Sequence, residues 1–283
     1  MEKYLSHYSA LKHWDFPLAH QYFKEKLNDD FPQQYLVRDI KARSYKKEIS
    51  THVCTRNLPK NSFVKLENKQ KIVSPQLMFL QLASTLDIIE IIILGYLLCA
   101  YPEGIFSNSL INKSHLIKYV SSANLPNKKK ALRALKYVQE GANSIMEIFV
   151  AMLLSLPNAL GGLSIPGGVL NYKVELDNLS ARAIKKKNLY IDYCFPNQKI
   201  GYEYQGSFHN RTIDEDSNRK MVLKRMGYEI VTISKTQLYD KNKLVLWLIE
   251  AAKTNRKKIR IRTQKYIKYF NRIIELLPKS DLT

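Results

Sequence analysis

The chain has 283 residues, enough for one large domain or two of ordinary size, so a buried core needs neither disulfides nor a structural metal. Hydrophobic residues make up 45% and aromatic residues 11%, with 18 Tyr, which argues against long disordered stretches. Against 25 Asp and Glu stand 45 Lys and Arg, a formal charge of +20. This favours a polyanionic partner, nucleic acid first; the alternative is that the lysines only coat solvated faces.

From the amino terminus, Met1 to His13 is polar and charged where a signal peptide needs an apolar centre. Cys54, Cys99 and Cys194 are too scattered for a zinc site or a disulfide framework, and a reducing cytoplasm is the simplest setting. Residues 50–54 and 63–66 read as strands, with Pro59 and Asn61 between them. Ser74-Pro75 opens a helix carrying Leu77, Phe79, Leu80, Leu82 and Ala83, and a second starts at Asp87. The run Ile88 to Ala100 contains Glu90 and falls short of the about 20 residues a membrane helix needs, so it predicts a buried helix and no membrane partner. A basic helix follows over 128–139, with Leu132, Leu135 and Val138 at spacings of three, and Gly141 marks a boundary.

Beyond Asn143 the pattern alternates between helix and strand, which predicts an α/β fold. Ser144 caps a helix from Ile145 to about Leu156 that carries Glu147, and Pro157 ends it. The loop 161–168 is rich in Gly and Pro but lacks the spacing of a phosphate-binding loop. Strands are expected at 172–176, 189–194 and 199–204, the last two joined as a hairpin through Pro196-Asn197-Gln198. A helix over 218–226 stops at Gly227, a strand covers 228–233, and a long helix begins at Lys241.

Asp192 and Glu203 lie in the two hairpin strands, so the hairpin sets two carboxylates side by side. On pattern alone they fit the solvent face of an antiparallel sheet equally well. Buried together, they repel unless a cation offsets both, and a hard divalent ion suits oxygen ligands and phosphate at once.

The order of Glu147 on a helix, Ile191-Asp192-Tyr193, the run Gly201-Tyr202-Glu203-Tyr204-Gln205-Gly206-Ser207-Phe208-His209, Asp216-x-x-Arg219 and Gly227-Tyr228-Glu229-Ile230 resembles the Vsr-like branch of the PD-(D/E)XK nucleases over residues 143 to 250. Residues 51–102 are similar to the AbiEi-type antitoxin-like segments that precede such nuclease domains. The resemblance implies a restriction-endonuclease-like core, a mixed sheet flanked by helices, over 141–252, after a smaller mixed α+β domain over 1–140 and before a basic C-terminal helix over 253–283. It implies a metal-dependent endonuclease of a bacterial defence, repair or mobile-element setting, with DNA favoured over RNA as the substrate and the choice between them left open by the sequence. Mg²⁺ or Mn²⁺ would be held by Glu147, Asp192 and Glu203. Gln205 stands where the motif has Lys: it can position a water but brings no cation. His209 would protonate the leaving oxygen or hold a phosphate. Asp216 is expected to cap the following helix, and Arg219 and Lys220 to contact phosphate or pair with the acidic residues before them.

Lys185, Lys186 and Lys187, in the loop before the Asp192 strand, can grip a nucleic-acid backbone or be solvated. Residues 253–268 predict an amphipathic basic helix that presents Arg256, Lys257, Lys258, Arg260 and Arg262 to phosphates. The rival reading is a DNA-binding regulator, antitoxin-like, whose nuclease fold has lost catalysis at Gln205. A protein partner or a homo-oligomer is left open.

Overall fold

A computed structural model describes residues 2–104, 109–206, 213–258 and 261–278. The chain divides into two units, Met1–Glu140 and Gly141–Thr283, and each contains a mixed sheet with helices, an α/β architecture.

In the first unit, strands β1 (Lys3–Leu5), β2 (Gln33–Val37), β3 (Ile49–Val53), β4 (Phe63–Lys65) and β5 (Lys71–Val73) form a sheet in the order β3-β2-β1-β5-β4. Pairing is antiparallel for β1 with β2 and for β4 with β5, and parallel for β1 with β5 and for β2 with β3. Of these strands the sequence indicated β3 and β4, while β1, β2 and β5 went unread. The helices are α1 (His7–His13), α2 (Pro17–Phe23), α3 (Pro75–Leu82), α4 (Ile88–Leu98), α5 (Lys113–Ser122) and α6 (Lys128–Leu135). Every residue of α4 is buried, and Glu90 sits there at little cost because it closes a capping box. Asp87 Oδ1 accepts from Ile89 N and Glu90 N, and Glu90 Oε2 accepts from Asp87 N at 2.9 Å. No helix among the described residues is long and apolar enough to cross a membrane.

The second unit runs α7 (Ile145–Ser155), β6 (Val169–Glu175), α8 (Asn178–Ile184), β7 (Asn188–Phe195), β8 (Ile200–Gln205), α9 (Ile213–Arg225), β9 (Glu229–Ser234), α10 (Lys235–Tyr239), α11 (Lys241–Thr254) and α12 (Gln264–Glu275). The sheet order is β6-β7-β8-β9, antiparallel up to β8 and parallel between β8 and β9, with α9 as the crossover. As expected, Ser144 caps α7, its Oγ accepting from Glu147 N at 3.2 Å. The β7–β8 turn closes through Gln198 N to Phe195 O and Lys199 N to Pro196 O, both 3.1 Å, with Lys199 at φ 55. Gly201 is required in β8: a Cβ there would meet Ile191 Cγ2 and Ile230 Cδ1 at 2.7 Å. Packed on the sheet from α9, Val222 and Leu223 join Val174, Leu189, Ile191 and Cys194 in one buried cluster.

Three expectations are corrected. Helix α9 begins at Ile213 rather than Asn218, because Asp214, Glu215 and Asp216 favour a helical first turn, where the macrodipole welcomes anions. The short helix α8 went unread in the sequence, although Asp177 caps it by accepting from Ser180 N at 2.7 Å. The basic segment 253–268 is not one helix: α11 ends at Thr254 and α12 starts ten residues later, at Gln264. Arg256, at φ 51, turns the chain, with its N–H donating to Lys253 O and that of Lys257 to Ala252 O. Thr263 then caps α12, accepting from Tyr266 N at 3.1 Å, and α12 docks through Tyr266, Phe270 and Ile273.

Candidate functional site

The site is made by an interruption of the central sheet. β7 and β8 pair only from Phe195↔Ile200 to Tyr193↔Tyr202. Beyond that point β7 stays with β6 as far as Asn188↔Glu175, and β8 stays with β9 as far as Gln205↔Ser234. The two middle strands therefore part, and Asp192 and Glu203, next in register, flank the opening. A strand amide caps one side: Asp192 Oδ2 accepts from Tyr204 N at 3.1 Å.

The break has a local cause in β6. The register on either side, Leu170↔Tyr193 and Tyr172↔Ile191, sets Asn171 opposite Asp192, and Asn171 has φ 45. Asn is among the few side chains that tolerate this region. A regular strand returns to the same face every two residues, yet Ile191 and Cys194, three apart, both join the α9 cluster. Asp192 itself is half-buried between the fully buried Ile191 and Tyr193.

Glu147 reaches this region from the first turn of α7. Its Oε2 accepts from Asn143 N at 2.8 Å and from Asn171 Nδ2 at 2.7 Å, and its Oε1 from Ser144 Oγ at 3.1 Å. Asn171 Nδ2 also donates to Gly141 O at 2.8 Å, so one strand residue ties the head of α7 to the interruption in the sheet. Asn171 was not singled out from sequence; an Asn amid the β-branched and aromatic residues of a strand was the available signal.

Arg219 spans the opening from α9. Its Nη2 donates to Tyr190 O on β7 at 2.6 Å and to the Glu203 carboxylate on β8. Only 8% of Arg219 is exposed, and its Nε is buried without a hydrogen-bond partner, yet it lines a cleft together with Asp216. Burial, then repulsion from Glu147 and Glu203, pushes the Asp192 carboxyl up to about 8, against the pull of the Tyr204 amide and the Arg219 charge. Burial also raises Glu147, opposed by its hydrogen bonds. One guanidinium thus acts on two carboxylates, Glu203 and Asp192, and the solvent-face reading of the pair is set aside.

A cleft of 60 Å³ opens over the pair, lined by Asp192, Glu203, Tyr204, Gln205, Asp216, Arg219 and Lys220. Asp216 is not a helix cap: it lies four residues into α9 and faces this cleft. Lys220, exposed on α9, lines the same cleft as Gln205.

No family model, curated protein or solved structure matches the chain. Function has to be argued from the site itself.

As donors to a divalent cation, the three proposed ligands are not equivalent. Among the described residues no three His, Cys, Asp or Glu side chains are grouped to hold a metal ion. Glu147 is engaged at the helix cap and does not line the cleft, whereas Asp192 and Glu203 do. Two carboxylates beside an aqueous cleft fit Mg²⁺, which keeps several waters and takes one or two protein oxygens. The raised Asp192 is the group such a charge would relieve.

A neighbouring groove of 250 Å³ is lined by Lys185, Lys186, Asn218 and Arg219, among others, so Arg219 borders both openings. Lys185, Lys186 and Lys187 are all exposed at the end of α8. Arg256, Lys257, Lys258 and Arg262 flank the α11–α12 turn and do not line the cleft. His209 and Arg260 lie outside the described residues.

Proposed function

We propose that the second unit is a PD-(D/E)XK-type nuclease domain that hydrolyses phosphodiester bonds in nucleic acid, DNA in the first instance, with Mg²⁺ or Mn²⁺. The observation that carries this reading is the parting of β7 and β8 at two half-buried carboxylates, Asp192 and Glu203, that line one cleft. The succession of α7, β6–β8, α9 and β9 supports it, being a mixed sheet flanked by helices in the order the sequence resemblance implies.

Asp192 and Glu203 would hold the ion, and Glu147 would act as a positioning residue through its charge on Asp192 and its tie to Asn171. When bound, the ion would lower the pKa of a coordinated water and neutralise charge developing on the phosphate. In hydrolysis the water oxygen bonds to phosphorus, one P–O bond to a sugar breaks, and the leaving oxygen takes up a proton. The Gln205 amide can orient the water by hydrogen bonding, and Lys220 supplies the positive charge at the phosphate that Gln205 lacks. Lys185 and Lys186 hold the backbone next to the cut. His209 is the residue that the resemblance offers as the proton donor.

The test is cleavage of plasmid and single-stranded DNA in Mg²⁺ or Mn²⁺ by the wild type and by Asp192→Ala; equal cleavage by both removes this site from consideration. One observation favours a second reading, a DNA-binding regulator with a silent site: Arg219 already neutralises Glu203. DNA binding that survives EDTA, without cutting in either metal, would select that reading.

A further inference from the structure

The first unit holds a cavity of 270 Å³ that the nuclease reading does not use. Its walls are apolar, built from Leu36, Leu77, Leu80, Leu125 and Pro126. Two polar atoms on its lining residues, His52 Nε2 and Gln81 Nε2, are buried and have no hydrogen-bond partner. Native interiors rarely leave such atoms unpaired, and one pair of them at one cavity marks a place for a complementary group.

These two atoms are set in a fixed frame. The His52 ring stacks on His7 at 3.7 Å between centroids, and His7 N donates to Gln81 Oε1 at 3.4 Å. His7 holds φ 49, a region few side chains occupy, and its Nδ1 lies 3.0 Å from Ser6 Oγ. Burial pushes His7 down to about 3 and lowers His52 too, so the polar edge of the cavity is uncharged near neutrality. An uncharged edge does not favour a phosphate or carboxylate inside. The charged residue of the lining is Arg56, which is exposed and donates to Asn124 O at 3.4 Å.

Apolar walls, an amide donor beside an imidazole nitrogen and a cation at the rim suit a flat heterocycle that carries a phosphate. The volume lies just below the roughly 300–1,000 Å³ of sites for drug-sized ligands, which sizes it for a ring system rather than a larger molecule. We propose that this cavity binds the base of a nucleotide, Gln81 and His52 meeting the polar edge of the ring and Arg56 the phosphate outside. Bases are recognised in this way elsewhere, by hydrogen bonds to their edges and by contact with their faces. The base can come from a free nucleotide or from an unpaired position in a strand.

The experiment is calorimetric titration of the full-length protein in EDTA with AMP, UMP and ribose 5-phosphate. A mononucleotide is expected to bind and ribose 5-phosphate not to. Gln81→Leu and His52→Phe, which keep volume and delete the polar atoms, are expected to weaken binding about tenfold each. Arg56→Gln, at an exposed position, is expected to weaken AMP but leave adenosine unchanged, and keeps the proposal testable if a cavity variant fails to fold. Competition by a single-stranded oligonucleotide but not by its abasic counterpart assigns the base to a strand; binding of mononucleotide without such competition assigns it to a free nucleotide. Absence of nucleotide binding at millimolar concentration, equal binding of ribose 5-phosphate, or unchanged affinity in folded variants overturns the proposal. Since binding is read without metal or cleavage, its failure is separate from failure of the nuclease site.

Discussion

Asp192→Asn keeps the shape of the side chain and an oxygen to accept from Tyr204 N, but removes a carboxyl that burial, Glu147 and Glu203 hold at about 8 instead of the ordinary 3.8. A carboxyl with a raised folded value binds its proton more tightly in the folded state, so its contribution to stability falls as pH climbs from about 4 to about 8 and is level beyond. Each pH unit inside that window is worth about 1.4 kcal/mol, so going from about pH 5 to about pH 7 costs the wild type up to about 2.7 kcal/mol that the variant does not lose. Glu147, raised by the same burial, shares the titration, which brings the expected difference nearer half of that. Thermal melts of both proteins across this range should show the variant gaining on the wild type by roughly 3–8 °C. Mg²⁺ should raise the melting point of the wild type near neutral pH and leave that of Asp192→Asn almost unmoved. A stability difference that does not change with pH, or one that turns against the variant as pH rises, would refute the account of a buried, repelled carboxyl.

Lys220→Met should lower the cleavage rate about 10–1,000-fold in single-turnover assays with little change in DNA affinity, as expected for a charge that acts on the developing phosphate; Gln205→Lys should restore part of the loss. Arg219→Met leaves Glu203 buried without its partner and should destabilise the protein by about 3–5 kcal/mol by denaturant melts, much of it recovered in the Arg219→Met, Glu203→Gln double variant. Asn171→Ala deletes the bonds to Glu147 and Gly141 O and puts a strained φ on alanine, for an expected loss of about 1–3 kcal/mol and slower cleavage; Asn171→Gly relieves only the strain and should lie between. Replacing Lys185 and Lys186 by alanine should weaken DNA binding on all sequences alike and flatten the log–log salt dependence by about one unit per lysine that contacts phosphate.

The sequence by itself determined the local features of this protein. Ser144, Ser74 and Asp87 announce helix starts because capping is a contact between near neighbours, and the Pro196–Gln198 turn sets Asp192 against Glu203 because a short hairpin leaves little freedom of register. Composition and charge announced a folded, strongly basic chain. What only the tertiary structure decided depends on residues far apart in the chain. The setting of Asp192 was undecidable from alternation, since it depends on Glu147, 45 positions earlier, and on Arg219, 27 positions later. That Arg219 lies across the split strands and pairs with Glu203 was decided only when α9 packed on the sheet. Lys220 and Asp216 entered the cleft for the same reason: α9 begins five residues earlier than its apolar pattern indicates, and the crossover to β9 fixes which of its faces the sheet receives. The stacking of His52 on His7 likewise has no trace in spacing, because the two rings come from separate elements that only the assembled sheet brings together.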